Sequence, residues 1–223
     1  MNSASLNTRQ VFDMTDFGSM TLREFSDALA STNPTPGGGS AAAVSLSQAA
    51  ALTVMVSDIT LGREKWEKGW EAAENSKSIA TPLILDGLTL ADEDTDSFIS
   101  VMDTFKLPKD SDQEKESRKQ AIRNATHNAS LVPLKTAKQA LQLLETQSDL
   151  ATYGNGNAVT DVGVASLLAS AACKGALFNV EINATSLPSE MAEPLMAEVK
   201  TIRESARELS RSVMKAVYAR LEN

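Results

Sequence analysis

The stretch NPTPGGGSAAAVSLSQAAA, Asn33–Ala51, sets three glycines between two prolines and a long run of small residues. Neither glycine nor proline interrupts the chain again before Gly62, so the sequence predicts one long helix with Ser40 as its N-cap, running to about Leu61. Small side chains at so many positions let a neighbouring helix approach closely. The stretch therefore favours tightly packed helices, and the glycines either support that packing or bind an anion at the helix N terminus.

Helical periodicity also dominates the rest of the chain. Thr21 with Glu24, and Ser111 with Glu114, have the spacing of capping boxes and so mark two helix starts. The predicted helices run from Leu22 to about Ser31, from Ser40 to about Leu61, through the region from about Glu64 to Phe105 with a kink or break at Pro82, from Ser111 to about Thr146 with a kink at Pro133, from Ala158 to about Val180, and from Ser189 onwards.

The last of these helices has the most regular apolar pattern. Its apolar positions recur at alternating spacings of four and three residues, as in the seam of a bundle or coiled coil, at Leu195, Val199, Ile202, Ala206, Leu209, Val213 and Ala216. No alternating strand pattern of useful length occurs in the sequence. We therefore predict an all-α bundle of about six long helices, two of them kinked at proline, with no sheet. A single domain is expected over residues 21–223, behind a loosely ordered N-terminal extension over residues 1–20.

The composition narrows the class of protein. The 223 residues can bury a sizeable core, and with only 4% aromatic residues that core is built mainly from small and aliphatic side chains. A net charge of −8 without a basic stripe argues against a nucleic-acid partner. Polar residues interrupt the apolar segment Val44–Ile59, so a buried core helix is expected there and no membrane partner. The single cysteine, Cys173, and the absence of a secretory signal at the start of the sequence indicate a soluble, cytoplasmic protein.

Two residues with possible nucleophilic or metal-binding chemistry stand alone in the sequence. His127 has no Cys or carboxylate at the spacing of a zinc site, and Cys173 lies among small residues. We expect structural roles for both and no metal site. The glycines fit neither a P-loop nor a dinucleotide fingerprint, because no strand precedes them and no lysine follows Gly39.

The acidic run in LADEDTDSFISVM, Leu90–Met102, is the first candidate for a site. At 100° per residue, Asp94 shares a helical stripe with Phe98 and Val101, which favours an inward position. Burial there raises the pKa of a carboxyl group towards the range of a working acid or base. Either Glu93 or Asp94 is therefore a candidate, and a solvated acidic face is the alternative.

Polar residues on the small-residue helix from Ala158 form a second set. Asp161, Gly175 and Asn179 share one face, where a carboxylate and an amide need partners if they are buried. Asp161 and Asn179 are about 27 Å apart along an unbroken helix, so they serve one site only if a second subunit brings them together. Asn179 and Asn183, one turn apart, can act together. Helix-packing or helix-end hydrogen bonds are the alternative role for each asparagine.

Six segments occur in an order that resembles one known family: PTPGGGSAAA, ITLGREKW, DEDTDSFISVMDTFKLPK, VPLKTAKQA, GNGNAVTDVGVASLL and GALFNVEIN. From about Thr21 to its C terminus the chain is similar to the cyclodeaminase/cyclohydrolase family. That family includes the cyclodeaminase half of formiminotransferase-cyclodeaminase and the stand-alone methenyltetrahydrofolate cyclohydrolase. The resemblance implies an all-α homodimer that acts on one-carbon derivatives of tetrahydrofolate without a metal or redox cofactor. Asp58, just before ITLG, departs from the Asn that is common in the family.

The resemblance implies one of two reactions at a tetrahedral carbon between two nitrogens. A cyclohydrolase opens methenyltetrahydrofolate with water to give formyltetrahydrofolate, whereas a cyclodeaminase closes formiminotetrahydrofolate and releases ammonia. Both reactions need only proton transfer and charge stabilisation. Because the sequence carries no formiminotransferase domain, we favour the cyclohydrolase. The alternatives are the cyclodeaminase and, in a different class, a non-enzymatic helical interaction protein.

On this hypothesis each candidate residue has an expected role. Asp94, with Glu93 second, carries proton transfer and stabilises the substrate cation. Asp161 and Asn179 are the candidates for polarising or orienting groups. The helix N terminus is expected to meet a pterin oxygen or a glutamyl carboxylate, and basic residues are expected to meet the anionic tail. The full set for substrate binding is Pro36, Gly37, Gly38, Gly39, Ser40, Lys65, Lys106, Lys109 and Asn183.

Overall fold

Six α-helices make up most of residues 16–222, the part of the chain that the computed structural model describes. They are α1 (Leu22–Leu29), α2 (Gly38–Thr60), α3 (Trp70–Thr104), α4 (Asp112–Tyr153), α5 (Val159–Ala184) and α6 (Ser189–Leu221), with short 3₁₀ turns at Phe17–Ser19, Glu64–Gly69 and Gly156–Ala158. Five of the helices are long, and α1 has eight residues. No strand occurs between Asp16 and Glu222. The prediction of an all-α bundle is confirmed.

The N-terminal extension expected over residues 1–20 lies largely outside the described residues. In its described part, Phe17 is buried, and its ring packs edge-on against Phe25 with 5.6 Å between centroids. The Phe17 N–H donates to Asp92 Oδ1 at 2.9 Å. These contacts attach the segment before α1 to the side of α3.

Two predicted helix starts are confirmed by their hydrogen bonds. At α1 the Thr21 side chain accepts from the Glu24 N–H, and the Glu24 side chain accepts from the Thr21 N–H. Ser111 and Glu114 make the same reciprocal pair at α4. Both are capping boxes, which satisfy N–H groups that the first turn of a helix leaves unpaired.

The predicted start of α2 is wrong. Gly37 is the N-cap, and Ser40 is the third residue of the helix, with its hydroxyl directed across to α3. A glycine N-cap costs only a few tenths of a kcal/mol relative to a serine, so the serine hydroxyl is available for a tertiary hydrogen bond. At the other end, Gly62 follows the helix with φ of +71°, as predicted for a glycine that ends it.

Pro82 does not break α3, and Pro133 does not break α4. α3 continues through Pro82 and α4 through Pro133, because each proline removes one hydrogen bond from a helix of 35 or 42 residues. α4 also extends beyond its predicted end, to Tyr153, and α5 extends to Ala184. Buried side chains such as Leu150 continue the packed face of α4 past the point where the sequence pattern weakens.

α2 packs against both α3 and α5 and also touches α4. Gly87 of α3 allows a close approach, since a Cβ at that position would lie 2.8 Å from both the Ala43 carbonyl oxygen and the Ser47 nitrogen. The Ser47 hydroxyl donates to the Ile84 carbonyl oxygen at 2.7 Å across the same contact. Gly87 of α3 together with the small residues Ala43 and Ser47 of α2 thus allows the close helix crossing that the α2 sequence predicts.

The apolar seam predicted for α6 faces α4 and α5. Its members Leu195, Val199, Ile202, Ala206 and Val213 are buried, and Leu209 is half-buried. Ala216 is half-buried as well, and the next residue, Val217, extends the buried side of the helix. The pattern of four and three residues therefore identified the buried side of the helix.

α2 and the segment Gly156–Ala184 are each long and apolar enough to cross a membrane, judged by length and composition alone. Of each such window 56% is buried inside the bundle, and core helices of soluble proteins meet the same criterion. Several large apolar side chains are exposed in the described bundle, and four of them lie together on α5. This outer α5 face consists of Val164, Leu167, Phe178 and Ile182, and Phe178 and Ile182 are each 65% exposed.

Candidate functional site

A cavity of about 280 Å³ opens where the N terminus of α2 meets α3, α4 and α5. The lining residues are Pro34, Thr35, Gly37, Gly38, Gly39, Asp94, Ser97, Phe98, Val101, Ala129, Asn179 and Asn183. They come from four helices and the loop before α2, so the cavity forms only when the bundle is assembled.

Asp94 is the one ionisable side chain among the described lining residues. Burial raises the pKa of its carboxyl group above the ordinary value of 3.8, while hydrogen bonds from the Ser40 hydroxyl and N–H act in the opposite direction. The Ser40 hydroxyl donates to Asp94 Oδ2 at 3.2 Å. A Cβ on Gly39 would overlap both carboxylate oxygens. The carboxylate therefore lies directly on the first turn of α2, in space that the absence of a side chain at Gly39 provides.

The first turn of α2 supplies backbone to the cavity wall. Gly37, Gly38 and Gly39 line the cavity, and no side chain caps this helix. N–H groups of a first turn have no partner within the helix, and the positive end of the helix dipole lies there. This wall therefore favours a carboxylate, such as that of Asp94, or the oxygen of a ligand.

Asn179 and Asn183 form the wall opposite α3. The Asn179 side-chain amide donates to the Gly175 carbonyl oxygen at 2.9 Å, and the Asn183 amide donates to the Ala129 carbonyl oxygen at 3.2 Å. Each bond orients its side chain, and a primary amide has a second N–H and a carbonyl oxygen in addition. The Asn183 bond joins α5 to α4, which is the packing role considered from the sequence, whereas the Asn179 bond stays within α5; both side chains still line the cavity.

The apolar part of the wall comes from the α3 stripe that the sequence predicts. Asp94, Phe98 and Val101 all line the cavity, and Phe98 is 37% exposed. The Ser97 hydroxyl donates to the Asp94 carbonyl oxygen at 2.8 Å, which turns it back onto its own helix. The helical period of 3.6 residues was sufficient to place these side chains on one surface.

Six lining residues were absent from the predicted site. Phe98 and Val101 were expected only to face inward, and Pro34, Thr35, Ser97 and Ala129 received no prediction. Pro34 and Thr35 directly precede the glycines, and that proximity was the available signal. Nothing about Ala129 in the sequence distinguishes it from other alanines, because its position depends on how α4 packs.

Three of the predicted residues lie beside the cavity without lining it. Pro36 is buried in the loop before α2, and Ser40 is buried behind Asp94. The Glu93 Oε2 lies 3.8 Å from the Lys135 Nζ of α4. Glu93 therefore faces a different helix contact from that of Asp94.

Four further predicted residues are not brought to the cavity. Asp161 is in the first turn of the unbroken α5, about 27 Å from Asn179. Lys65 lies before α3, with its Nζ 4.8 Å from the Trp66 ring centroid, at the end of α3 remote from Asp94. Lys106 follows α3 and bonds to Asp103 at 2.6 Å, and Lys109 is in the loop before α4.

Cys173 has the structural position that was expected for it. It is fully buried, and burial raises the pKa of its thiol to about 11. A thiol with that pKa is almost entirely protonated at neutral pH and is a poor nucleophile. Within residues 16–222 no group of three or more His, Cys, Asp or Glu side chains is arranged to hold a metal ion.

A half-buried carboxylate opposite two amides and beside a helix N terminus defines a small-molecule site suited to proton transfer at a polar ligand. Comparison with known proteins identifies the family to which this all-α chain belongs. The family model of formiminotransferase-cyclodeaminase matches residues 21–216. The chain belongs to that family.

Three relatives indicate the range of the family. Methenyltetrahydrofolate cyclohydrolase of Methylorubrum extorquens is 33% identical, over 92% of this chain and 99% of that protein. Formimidoyltransferase-cyclodeaminase of Rattus norvegicus is 28% identical over 90% of this chain, which spans 37% of that longer protein. The crystal structure of formiminotetrahydrofolate cyclodeaminase from Thermotoga maritima superposes with a TM-score of 0.80 at 26% identity, over 91% of this chain and 98% of that one.

Proposed function

We propose that the protein is a methenyltetrahydrofolate cyclohydrolase, an enzyme that hydrolyses 5,10-methenyltetrahydrofolate to 10-formyltetrahydrofolate. The observation that carries the proposal is the half-buried Asp94 in the cavity. The chain that contains it matches a methenyltetrahydrofolate cyclohydrolase over nearly the whole length of both proteins. That relative is also more similar in sequence, at 33% identity, than the formimidoyltransferase-cyclodeaminase of Rattus norvegicus, at 28%.

The reaction assigns Asp94 the role of base. Water adds to the methenyl carbon between N5 and N10, and Asp94 accepts one of its protons, which leaves a neutral tetrahedral carbon that bears a hydroxyl group. The bond from this carbon to N5 then breaks, N5 gains a proton, and loss of the hydroxyl proton forms the formyl group. A raised pKa suits a carboxylate to this task, because a group of ordinary pKa accepts protons poorly near neutral pH.

The two asparagines are proposed to orient the attacking water and the tetrahedral hydroxyl group. Their side chains are already held by hydrogen bonds to Gly175 and Ala129, so little reorganisation is needed when the polar intermediate forms. The α2 N terminus is proposed to bind an oxygen of the pterin or of a glutamyl carboxylate. Lys106 and Lys109, beyond the α3 side of the cavity, are proposed for the glutamyl tail.

Since every step is a proton transfer or an addition of water, we also propose that the reaction uses no metal or redox cofactor. Glu93 and Asp161 receive no role in the cavity of one chain. Asp161 acts in catalysis only if a partner subunit brings it to another cavity.

The second candidate is formimidoyltetrahydrofolate cyclodeaminase, and the observation that favours it is the similarity to the Thermotoga maritima structure. The same site is proposed to serve this ring closure: N10 attacks the formimino carbon and loses its proton, the terminal nitrogen gains a proton, and its bond to the carbon breaks to release ammonia. Asp94 in its protonated form is the proposed donor.

We further propose a homodimer that packs through the outer α5 face. Four large apolar side chains on one helix face are costly to leave in water, and a second copy of the same face covers them with a two-fold axis. Phe178 and Ile182 are adjacent in sequence to the cavity residues Asn179 and Asn183, so this interface would border the site.

The first test is a pair of activity assays on the purified protein. Loss of the near-ultraviolet absorbance of methenyltetrahydrofolate reports hydrolysis, and ammonia release from formiminotetrahydrofolate reports deamination. Hydrolysis without ammonia release is expected. Ammonia release would support the second candidate, and no turnover of either substrate would contradict the enzyme proposal.

Asp94→Asn tests the residue, with Asp96→Asn as the matched control on the exposed side of the same helix. We expect kcat to fall by about 10²-fold or more in Asp94→Asn, because general base catalysis is lost. The fold should survive, since burial penalises a charge and the asparagine amide has none. A kcat in Asp94→Asn equal to that of Asp96→Asn would remove Asp94 from the reaction.

A further inference from the structure

The charge of the cavity indicates which form of folate it prefers. Among the described lining residues Asp94 supplies a carboxylate, and none is Lys, Arg or His. A buried carboxylate without a cationic side chain in its cavity is better compensated by a cationic ligand than by a neutral one. Methenyltetrahydrofolate carries a positive charge spread over its N–C–N unit, whereas the formyl product is neutral there.

Phe98 is the one aromatic side chain in the described lining. It follows Asp94 by four residues on α3, so the ring and the carboxylate lie on the same helical stripe and face the same cavity. Its side chain remains 37% exposed although the neighbouring residues Thr95 and Ala91 are buried, so it has surface available to a ligand. The face of an aromatic ring carries negative charge density and attracts a cation within about 6 Å.

We propose that Phe98 and Asp94 together recognise the positive charge of the substrate, with the N–C–N cation against the Phe98 ring and beside the carboxylate. This inference rests on the proposed function and adds a specificity determinant to it. Addition of water neutralises the cation, so the same two side chains bind the product less tightly than the substrate. The site thereby favours entry of the folate whose N–C–N unit is cationic and release of the product, which has no charge there.

Phe98 could instead act as plain apolar surface for a flat ring. In that role it would contribute equally to the binding of folates with and without a cationic N–C–N unit, since both contain the same pterin and aminobenzoyl rings. Charge recognition predicts an unequal contribution. The two roles therefore predict different ratios between the change in substrate binding and the change in binding of the uncharged analogue.

Phe98→Leu removes the ring and keeps an apolar side chain, Phe98→Tyr keeps the ring, and Phe105→Leu is the matched control. Phe105 is an exposed aromatic residue directly after the end of α3, about 10 Å from Phe98 along the helix axis and outside the cavity lining. For each variant we would measure KM for methenyltetrahydrofolate and the inhibition constant of 5-formyltetrahydrofolate, an analogue with no positive charge at N5 and N10. Circular dichroism would verify that each variant is folded.

The expected result is a KM raised about 2- to 30-fold in Phe98→Leu, the range that cation–π contacts give, with an inhibition constant changed less than the KM. Phe98→Tyr and Phe105→Leu should resemble the unmodified protein. Equal weakening of both ligands in Phe98→Leu, or no change in either, would overturn the inference. If the unmodified protein turns over neither substrate, the proposed function fails, and dissociation constants for the same two folates then decide the inference separately.

Discussion

At Asp94 two opposing effects determine the pKa of the carboxyl group, and the partner that lowers it is a single serine. Burial raises the pKa, and the Ser40 hydroxyl and N–H lower it by bonding to the ionised form. The folded protein therefore binds this proton more tightly than the unfolded chain. As a result, Asp94 lowers the stability of the fold as the pH rises from 3.8 through the raised value.

Ser40→Ala should move the acid limb of kcat/KM to higher pH. Loss of one hydrogen bond to the carboxylate raises the pKa of Asp94 further, and Asp94 accepts a proton only when it is ionised. The measurement is a profile of kcat/KM against pH.

Ser57→Ala is the control for that profile. Ser57 is a buried serine of the same helix, and its hydroxyl has no hydrogen-bond partner among the described residues. We expect its acid limb to match that of the unmodified protein. If Ser40→Ala also leaves the limb in place, the hydroxyl does not control the titration of Asp94.

At the scale of the helices, the crossing of α2 and α3 depends on Gly87. A Cβ at that position would meet backbone atoms of Ala43 and Ser47 at 2.8 Å, and backbone cannot move aside as a flexible side chain can. Alanine has a higher helix propensity than glycine, by about 1 kcal/mol, so propensity and packing predict opposite effects for Gly87→Ala.

We expect packing to dominate, with the free energy of unfolding of Gly87→Ala lowered by about 1 to 3 kcal/mol. Urea unfolding followed by circular dichroism measures it. Gly38→Ala is the control, because a Cβ at Gly38 meets nothing within 4 Å and should not destabilise the fold. A Gly87→Ala variant as stable as Gly38→Ala would show that the two helices separate at little cost.

For the whole molecule, the outer α5 face decides whether the protein is a monomer or a dimer. Leu167→Glu places a charge at the middle of that face, on a side chain 58% exposed in the single chain. Burying an unpaired charge at an apolar interface is strongly unfavourable. We expect the unmodified protein to be a dimer and Leu167→Glu to have the mass of one 23.8 kDa chain by light scattering.

Leu85→Glu is the matched control for the dimer. Leu85 is 69% exposed on α3, away from the outer α5 face, so this variant should remain a dimer. A monomeric unmodified protein, or a dimeric Leu167→Glu, would contradict the proposed interface.

Local patterns were enough to predict much of this fold. The capping boxes at Thr21 and Ser111, the ending glycine Gly62 and the seam of α6 are each determined by residues within a few turns of one another. The α3 stripe of Asp94, Phe98 and Val101 belongs to the same class, because one helical period relates its members. The order of six short motifs identified the family.

Long-range packing decided which residues meet at the cavity, which the local patterns do not determine. Ser40 is a helix residue bonded to Asp94 rather than an N-cap, and Lys65 lies at the end of α3 remote from Asp94. Asp94 and Asn179 are 85 positions apart in the sequence, yet both line one cavity, while Asp161, on the same helix as Asn179, does not. For α3 and α6 the sequence determined which face is buried, because that face is a local property of the helical period, whereas the apolar outer α5 face is exposed. Only the tertiary structure decided which faces meet, because the ends and crossings of the helices depend on close contacts such as those at Gly39 and Gly87.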